Sequence, residues 1–321
     1  SVTKVMTLLL VIEAIDSGRL KLDDMVTVSA RAASMGGSQV YLKEGEQMTV
    51  DDMLKAVAVV SGNDAAVALA EHLAGSESAF VERMNQRAHE LGMEDTNFLN
   101  CTGLPAAGHL TSAYDIALMS RALIGHAKIR EYTTIWMDSL RDGASSLVNT
   151  NRLIRFYDGA TGLKTGFTAS AQYCMSATAQ RNGMELIAVV MKAPTTAQRF
   201  QDASSLLDYG FANYALITPQ PESPLAPVDV LLGRSKTVQP QLQRECHLLV
   251  EKTQADQVTT RVDLAQDVQA PVDPGQTLGE FQVYVGNELR DSVPIVAAQG
   301  VDRLSVPGLF SQLLRRLLFA G

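Results

Sequence analysis

The chain opens on Ser1-Val2-Thr3-Lys4, a hydroxyl and a primary amine three residues apart at the head of an apolar run. If that run is a helix, positions i and i+3 share a face and the amine reaches the hydroxyl. An alcohol is a weak nucleophile, so a neighbouring base must take its proton before it attacks a carbonyl. Two further elements carry the same kind of chemistry. Ser61-Gly62-Asn63 lies in a break between two helical patterns, and Lys164-Thr165-Gly166 leads into a strand-like stretch. Singly they are weak signals. About one S-x-x-K arises by chance in a chain this long, Asn63 could simply cap the helix after it, and Lys164 could be a solvated loop lysine.

The elements that must position these residues follow from periodicity. Residues 5–15 are apolar apart from Thr7 and Glu13, stopped by Ser17-Gly18, and read as a buried helix. Thr49-Val50-Asp51-Asp52 resembles a capping box ahead of a second helix. A third spans 64–74 and ends at Gly75, with more helical pattern over 78–91, 111–125 and 198–215. Between them, 172–179 and 186–191 alternate around Asn182-Gly183, a β-hairpin signature. Long helical blocks flanking an antiparallel sheet predict an α+β domain over residues 1–217. A proline-rich linker follows at 218–227, then Val- and Thr-rich short runs over 228–302 that predict a small all-β domain, with a hairpin turning at Gly286-Asn287. Residues 303–321 place Leu309, Phe310, Leu313, Leu314, Leu317 and Leu318 along one helical face. This tail holds three arginines and no acid, leaving 24 basic against 35 acidic residues elsewhere. A basic amphipathic helix on an acidic body fits a membrane-surface anchor.

Composition removes other classes. The net charge of −8 and an aromatic content of 6% argue against nucleic-acid binding. Cys101, Cys174 and Cys246 form no C-x-x-C pair, and the five histidines lack ligand spacing, so no metal or disulfide framework is indicated. G-x-S-x-G, H-E-x-x-H and the P-loop pattern are absent.

In order, S-x-x-K, S-x-N and K-T-G are the motif set of serine acyltransferases acting on D-alanyl peptides and β-lactams. The stretches AVVSGNDAAVALAEHLAGS, LGMEDTNFLNCTGL, HLTSAYDIALMSRAL and GLKTGFTASAQYCMSATA extend the likeness. Along essentially its whole length the chain resembles the D-alanyl-D-alanine carboxypeptidases among the low-molecular-mass penicillin-binding proteins. The resemblance implies a helical and antiparallel-sheet domain like that of penicillin-binding proteins and β-lactamases, and no cofactor. Ser1 would be the nucleophile and Lys4 its general base, effective only when neutral; burial and the cation of Lys164 would both favour that form. Ser61 would relay the proton to the departing D-alanine, and Asn63 would hold Lys4 and the substrate amide oxygen. Lys164 and Thr165 would bind the terminal carboxylate, with Gly166 letting the substrate lie against the strand. Phe167 stands where many family members carry histidine and would supply a backbone N–H to the oxyanion hole. Arg199 is a further candidate for the carboxylate. The implied partners are the peptidoglycan stem peptide, β-lactams as covalent inhibitors, and the outer face of the bacterial cytoplasmic membrane through residues 303–321, which places the protein outside the cytoplasm.

Family members carry additional chain, including sheet strands, before S-x-x-K. Here Ser1 supplies a terminal amine as the second oxyanion donor, so weak or absent acylation is expected of the chain as it stands. Full-speed labelling by a fluorescent penicillin would contradict that. Among competing readings, a class A β-lactamase would need an E-x-x-x-N element, which the sequence lacks. An N-terminal-nucleophile hydrolase would use Ser1 but leave Ser61, Lys164 and the tail unexplained. A membrane-bound scaffold with an impaired acylation site is the non-enzymatic alternative.

Overall fold

The apolar run at the start of the chain becomes the helix Lys4–Asp16, buried on nearly every side. A helix without a polar face belongs inside a core, and here it stands at the centre of one. Met53 and Val57 from Val50–Val60, Leu69 from Asn63–Ala74, Phe80 and Met84 from Glu77–Glu90, and Ile116 and Met119 from Ala113–Ile124 complete that cluster. Capping follows the sequence: Thr49 accepts from Asp52 N–H, Ser76 from Ala79 N–H and Ser112 from Asp115 N–H, while Gly75 takes the left-handed conformation that ends its helix. A computed structural model of the chain describes residues 1–305 together with Pro307, Gly308 and Phe310.

Three antiparallel strands, Ala160–Thr168, Gln172–Arg181 and Met184–Ala193, form the sheet in chain order. The turn between the last two is Asn182-Gly183, with φ of 51° and 78°, as the Asn-Gly signature predicts. The Ser120 and Ser176 hydroxyls, 2.8 Å apart and buried, tie the helix Ala113–Ile124 to the sheet. The helix Thr196–Asn213 packs Ala203 and Leu207 against Met175, Ala177 and Val190 in a second cluster. The α+β class read from the sequence is the observed one.

Two features differ from the sequence reading. Lys164-Thr165-Gly166 does not lead into the hairpin; it sits in the middle of its own strand, paired with Ser176, Met175 and Cys174. Its glycines and central lysine give no alternating apolar signal, so pairing rather than propensity makes it a strand. The domain boundary also falls earlier than residue 217, because the chain divides into Ser1–Ala212 and Asn213–Gly321. Residues Tyr214–Ile217 form a strand paired with Leu248–Glu251 inside the second unit.

That second unit is β-rich, as predicted. Its four-stranded sheet runs in the order Pro240–Leu242, Glu288–Ala297, Thr277–Val285, Val258–Leu264, and a smaller sheet joins Thr237–Val238, Val228–Leu231 and Asp267–Gln269. Among the described residues no helix is long and apolar enough to cross a membrane. The amphipathic helix expected over 303–321 lies, past residue 305, outside the described residues apart from positions 307, 308 and 310.

Candidate active site

The first helix begins at Lys4, and its opening turn brings the two ends of S-x-x-K together. Lys4 Nζ lies 3.2 Å from Ser1 Oγ, 2.5 Å from Asn63 Oδ1 and 3.0 Å from the carbonyl of Thr102. Lys4 is fully buried. A neutral amine has two N–H donors and one lone pair. Asn63 and Thr102 can accept from both donors, which leaves the lone pair for the Ser1 hydroxyl proton. Burial lowers Lys4 from 10.5 to about 7, against an upward pull from Asp64. The amine is therefore held ready to accept a proton near neutral pH.

Ser61 lies in the break after Val50–Val60, and Asn63 opens the next helix, Asn63–Ala74. Ser61 adopts φ 65°, a left-handed conformation that costs energy in a non-glycine residue and clusters at functional sites. Its Oγ is buried without a hydrogen-bond partner among the described residues. A buried orphan hydroxyl costs about 1–3 kcal/mol, so its retention is an argument for use. The Asn63 backbone N–H donates to Ser38 O and its Nδ2 to Gly36 O, both at 2.7 Å.

The strand Ala160–Thr168 is an edge strand, so one side of its backbone is left unpaired by the sheet. That is where an extended peptide can add. Lys164 is buried and donates to Thr165 O at 2.9 Å. Burial, then the charges of Lys4 and Arg199, lower Lys164 well below its ordinary value. The repulsion expected to lower Lys4 thus acts on Lys164, while burial is what lowers Lys4. Thr165 Oγ1 donates to Thr150 Oγ1 at 2.8 Å. Gly166 packs against the residues just ahead of the first helix, where a Cβ would stand 3.0 Å from both Val2 N and Val2 Cγ2, so a larger residue would have to push that segment back by a few tenths of an ångström. Phe167 is exposed and its ring tilts over Tyr173 at 4.5 Å between centroids.

Arg199 reaches the same strand from the helix Thr196–Asn213 but spends Nη1 on the carbonyls of Gly166 and Cys174, at 3.2 and 3.4 Å. Its Nε is enclosed with no acceptor among the described residues. Arg199 therefore holds Gly166 through Nη1, and its charge is felt at Lys164. A cavity of about 630 Å³ reaches Ser1, Gly166 and Phe167 but not Lys4, Ser61 or Lys164, so it lies alongside the cluster.

A half-buried serine bonded to a buried lysine, an S-x-N turn bonded to that lysine and a K-T-G edge strand thus meet in one place. A family model described as D-alanyl-D-alanine carboxypeptidase matches residues 1–195, and one for the C-terminal domain of penicillin-binding protein 5 matches residues 220–303. The chain belongs to the D-alanyl-D-alanine carboxypeptidase family. Among curated relatives it is 40% identical to D-alanyl-D-alanine carboxypeptidase DacF of Bacillus subtilis, over 94% of this chain and 79% of that protein. It is 32% identical to DacC of Escherichia coli, over 94% and 78%. Among solved structures, penicillin-binding protein 5 of Haemophilus influenzae superposes with a TM-score of 0.74 at 29% identity, covering 94% of this chain and 90% of that one. Penicillin-binding protein 3 of Streptococcus pneumoniae gives 0.75 at 27%, covering 94% and 92%.

For this carboxypeptidase, three supporting residues escaped the sequence reading. Thr102 serves Lys4 through a backbone carbonyl, which no residue type signals. Asn100 shapes that turn, its Oδ1 accepting from Thr102 N–H and Gly103 N–H at 3.2 and 2.7 Å. Asp64 accepts the backbone N–H groups of Val40 and Leu42, each at 3.0 Å, and so fixes the loop whose Gly36 and Ser38 carbonyls hold Asn63. An acid in the first turn after S-x-N was its one visible signal.

The two lysines set the expected pH dependence. Lys4 works when neutral, so acylation by a fluorescent penicillin should rise with pH through a midpoint of about 7. Lys164 works when charged, so the rate should fall again as Lys164 loses its proton, below the ordinary lysine value of 10.5. A profile flat across neutrality would remove Lys4 from the base role.

Proposed function

We propose that the chain removes the terminal D-alanine from peptidoglycan pentapeptide stems through an acyl-enzyme on Ser1. Lys4 takes the Ser1 Oγ proton as Oγ bonds to the carbonyl carbon between the two D-alanines. The oxyanion forms against the backbone nitrogens of Ser1 and Phe167. The C–N bond then breaks, and the proton on Lys4 passes through the Ser61 hydroxyl to the departing amine. Asn63 keeps Lys4 in register and, with its second Nδ2–H, takes the substrate amide oxygen. Lys164 and Thr165 receive the terminal carboxylate. A water molecule, its proton accepted by Lys4, hydrolyses the ester and restores Ser1. β-Lactams acylate the same hydroxyl.

The observation that carries this reading is Lys4 Nζ, fully buried and within 3.2 Å of Ser1 Oγ. It is tested by the release of free D-alanine from an acyl-D-alanyl-D-alanine peptide. Release that disappears in Ser1→Ala is expected; release unchanged in that variant would overturn the assignment.

The extracytoplasmic, membrane-peripheral placement belongs to the same proposal. It rests on residues 303–321, whose sequence sets leucines and Phe310 along one helical face and arginines along the other.

A further inference from the structure

The β-rich unit carries an apolar pair in a place where turn chemistry calls for polar residues. Leu231 ends the strand Val228–Leu231 on its outward side, since Val228 and Val230 take the inward positions of the core. Leu232 follows in the turn. The two are 50% and 41% exposed, and Leu232 holds φ 58°, a conformation that glycine or asparagine adopts freely and leucine does not. One exposed leucine needs no explanation. Two in succession, one of them in a strained conformation, do.

The turn is fixed to the point where the tail leaves the domain. Leu304 N–H donates to Leu232 O at 2.8 Å, Arg234 N–H donates to Asp302 O at 2.8 Å, and Gly233 bridges Arg303. A Cβ on Gly233 would stand 2.6 Å from Val230 Cγ1 and 2.9 Å from Val301 Cγ1, so only glycine fits where the turn packs on this exit. The leucines are followed by Arg234 and Lys236, and Arg303 stands across the bridge. Asp302 is paired with Arg234 at 3.7 Å. Asp229 and Asp267, which pair across neighbouring strands, lie two positions back from the tip. Cations thus gather beside exposed leucines on a chain whose net charge is −8.

We propose that the turn 231–236 is a second membrane contact, in which Leu231 and Leu232 enter the headgroup region of an anionic bilayer while Arg234, Lys236 and Arg303 meet its phosphates. The inference rests on the membrane reading of the tail and adds a fixed point to it. The tail supplies a basic amphipathic sequence; the turn, bonded to residues 302–304, sets where the rigid domain touches the surface.

The test uses the full chain and vesicles of phosphatidylcholine with phosphatidylglycerol. Leu232→Asn suits the left-handed position, so the thermal midpoint should hold or rise, while partitioning onto vesicles should weaken about fivefold. Arg234→Gln should weaken partitioning about fivefold on these vesicles and leave it unchanged on pure phosphatidylcholine. In Leu231→Trp, brominated lipids should quench the added tryptophan beyond the signal of Trp136, the one tryptophan of the chain. Binding without that quenching, or with Leu232→Asn binding like the parent, overturns the turn contact and leaves the tail reading standing. No binding by the parent protein overturns both.

Discussion

Lys4→Met should slow acylation by about 10³-fold at pH 7, the range that a positioned general base supplies. Methionine keeps the unbranched stem and gives no base. Asn63 Oδ1 and the Thr102 carbonyl, which Lys4 holds at 2.5 and 3.0 Å, lose that donor, so the substitution isolates the proton transfer only if folding is followed alongside. Folding supplies its own signature. Lys4 titrates near 7 in the folded chain against 10.5 for an ordinary lysine. Between those values the unfolded chain binds a proton that the folded chain does not, so this lysine adds stability as pH rises through the window. The full span is worth on the order of 5 kcal/mol. Lys4→Met removes that contribution and makes the dependence shallower, leaving the part that the lowered Lys164 supplies. A variant that acylates slowly yet keeps the same stability-versus-pH slope would mean that Lys4 is not the buried titrating amine. The measurement pairs fluorescent-penicillin kinetics with thermal unfolding from pH 6 to 10.

Lys164→Met should reduce kcat/KM for a D-alanyl-D-alanine peptide by about 10²-fold, as expected when one partner of a desolvated charge pair is removed. The discriminating substrate is the same peptide with its terminal carboxylate amidated. Against that substrate parent and variant should differ little, because the lysine has no anion to meet. The high-pH fall in the acylation profile, which reports loss of the Lys164 proton, should also vanish in the variant. Equal losses on both peptides would make Lys164 a structural residue of its strand. Arg199 differs in kind: its Nη1 is held by Gly166 O and Cys174 O, and its effect on the groove is the charge that helps lower Lys164.

Much of the site is legible in the sequence because its parts are local. The i, i+3 spacing of Ser1 and Lys4, the helix break at Ser61–Asn63 and the Asn182-Gly183 turn are each settled within a few residues. What was not legible depends on contacts between distant segments. Thr102 meets Lys4 across 98 positions through a backbone oxygen. The K-T-G segment becomes a strand by pairing with Gln172–Arg181, although two glycines and a lysine argue against it locally. The strand Tyr214–Ile217 reads as the end of the preceding helical region, and only its pairing with Leu248–Glu251 assigns it to the β-rich unit. The exposure of Leu231 and Leu232 belongs to the same class, since an apolar pair ending a strand reads as core until its outward face is seen.

The central claim is that Ser1 carries the acyl group. Its most direct measurement is the mass of the protein after incubation with a penicillin, followed by tryptic mapping of the adduct. One penicilloyl group on the peptide that begins at Ser1, formed at the reduced rate expected with a terminal amine as oxyanion donor, absent in Ser1→Ala and reduced further in Lys4→Met, is the predicted result. An adduct on Ser61 or on any other residue, or the same adduct in Ser1→Ala, would contradict it.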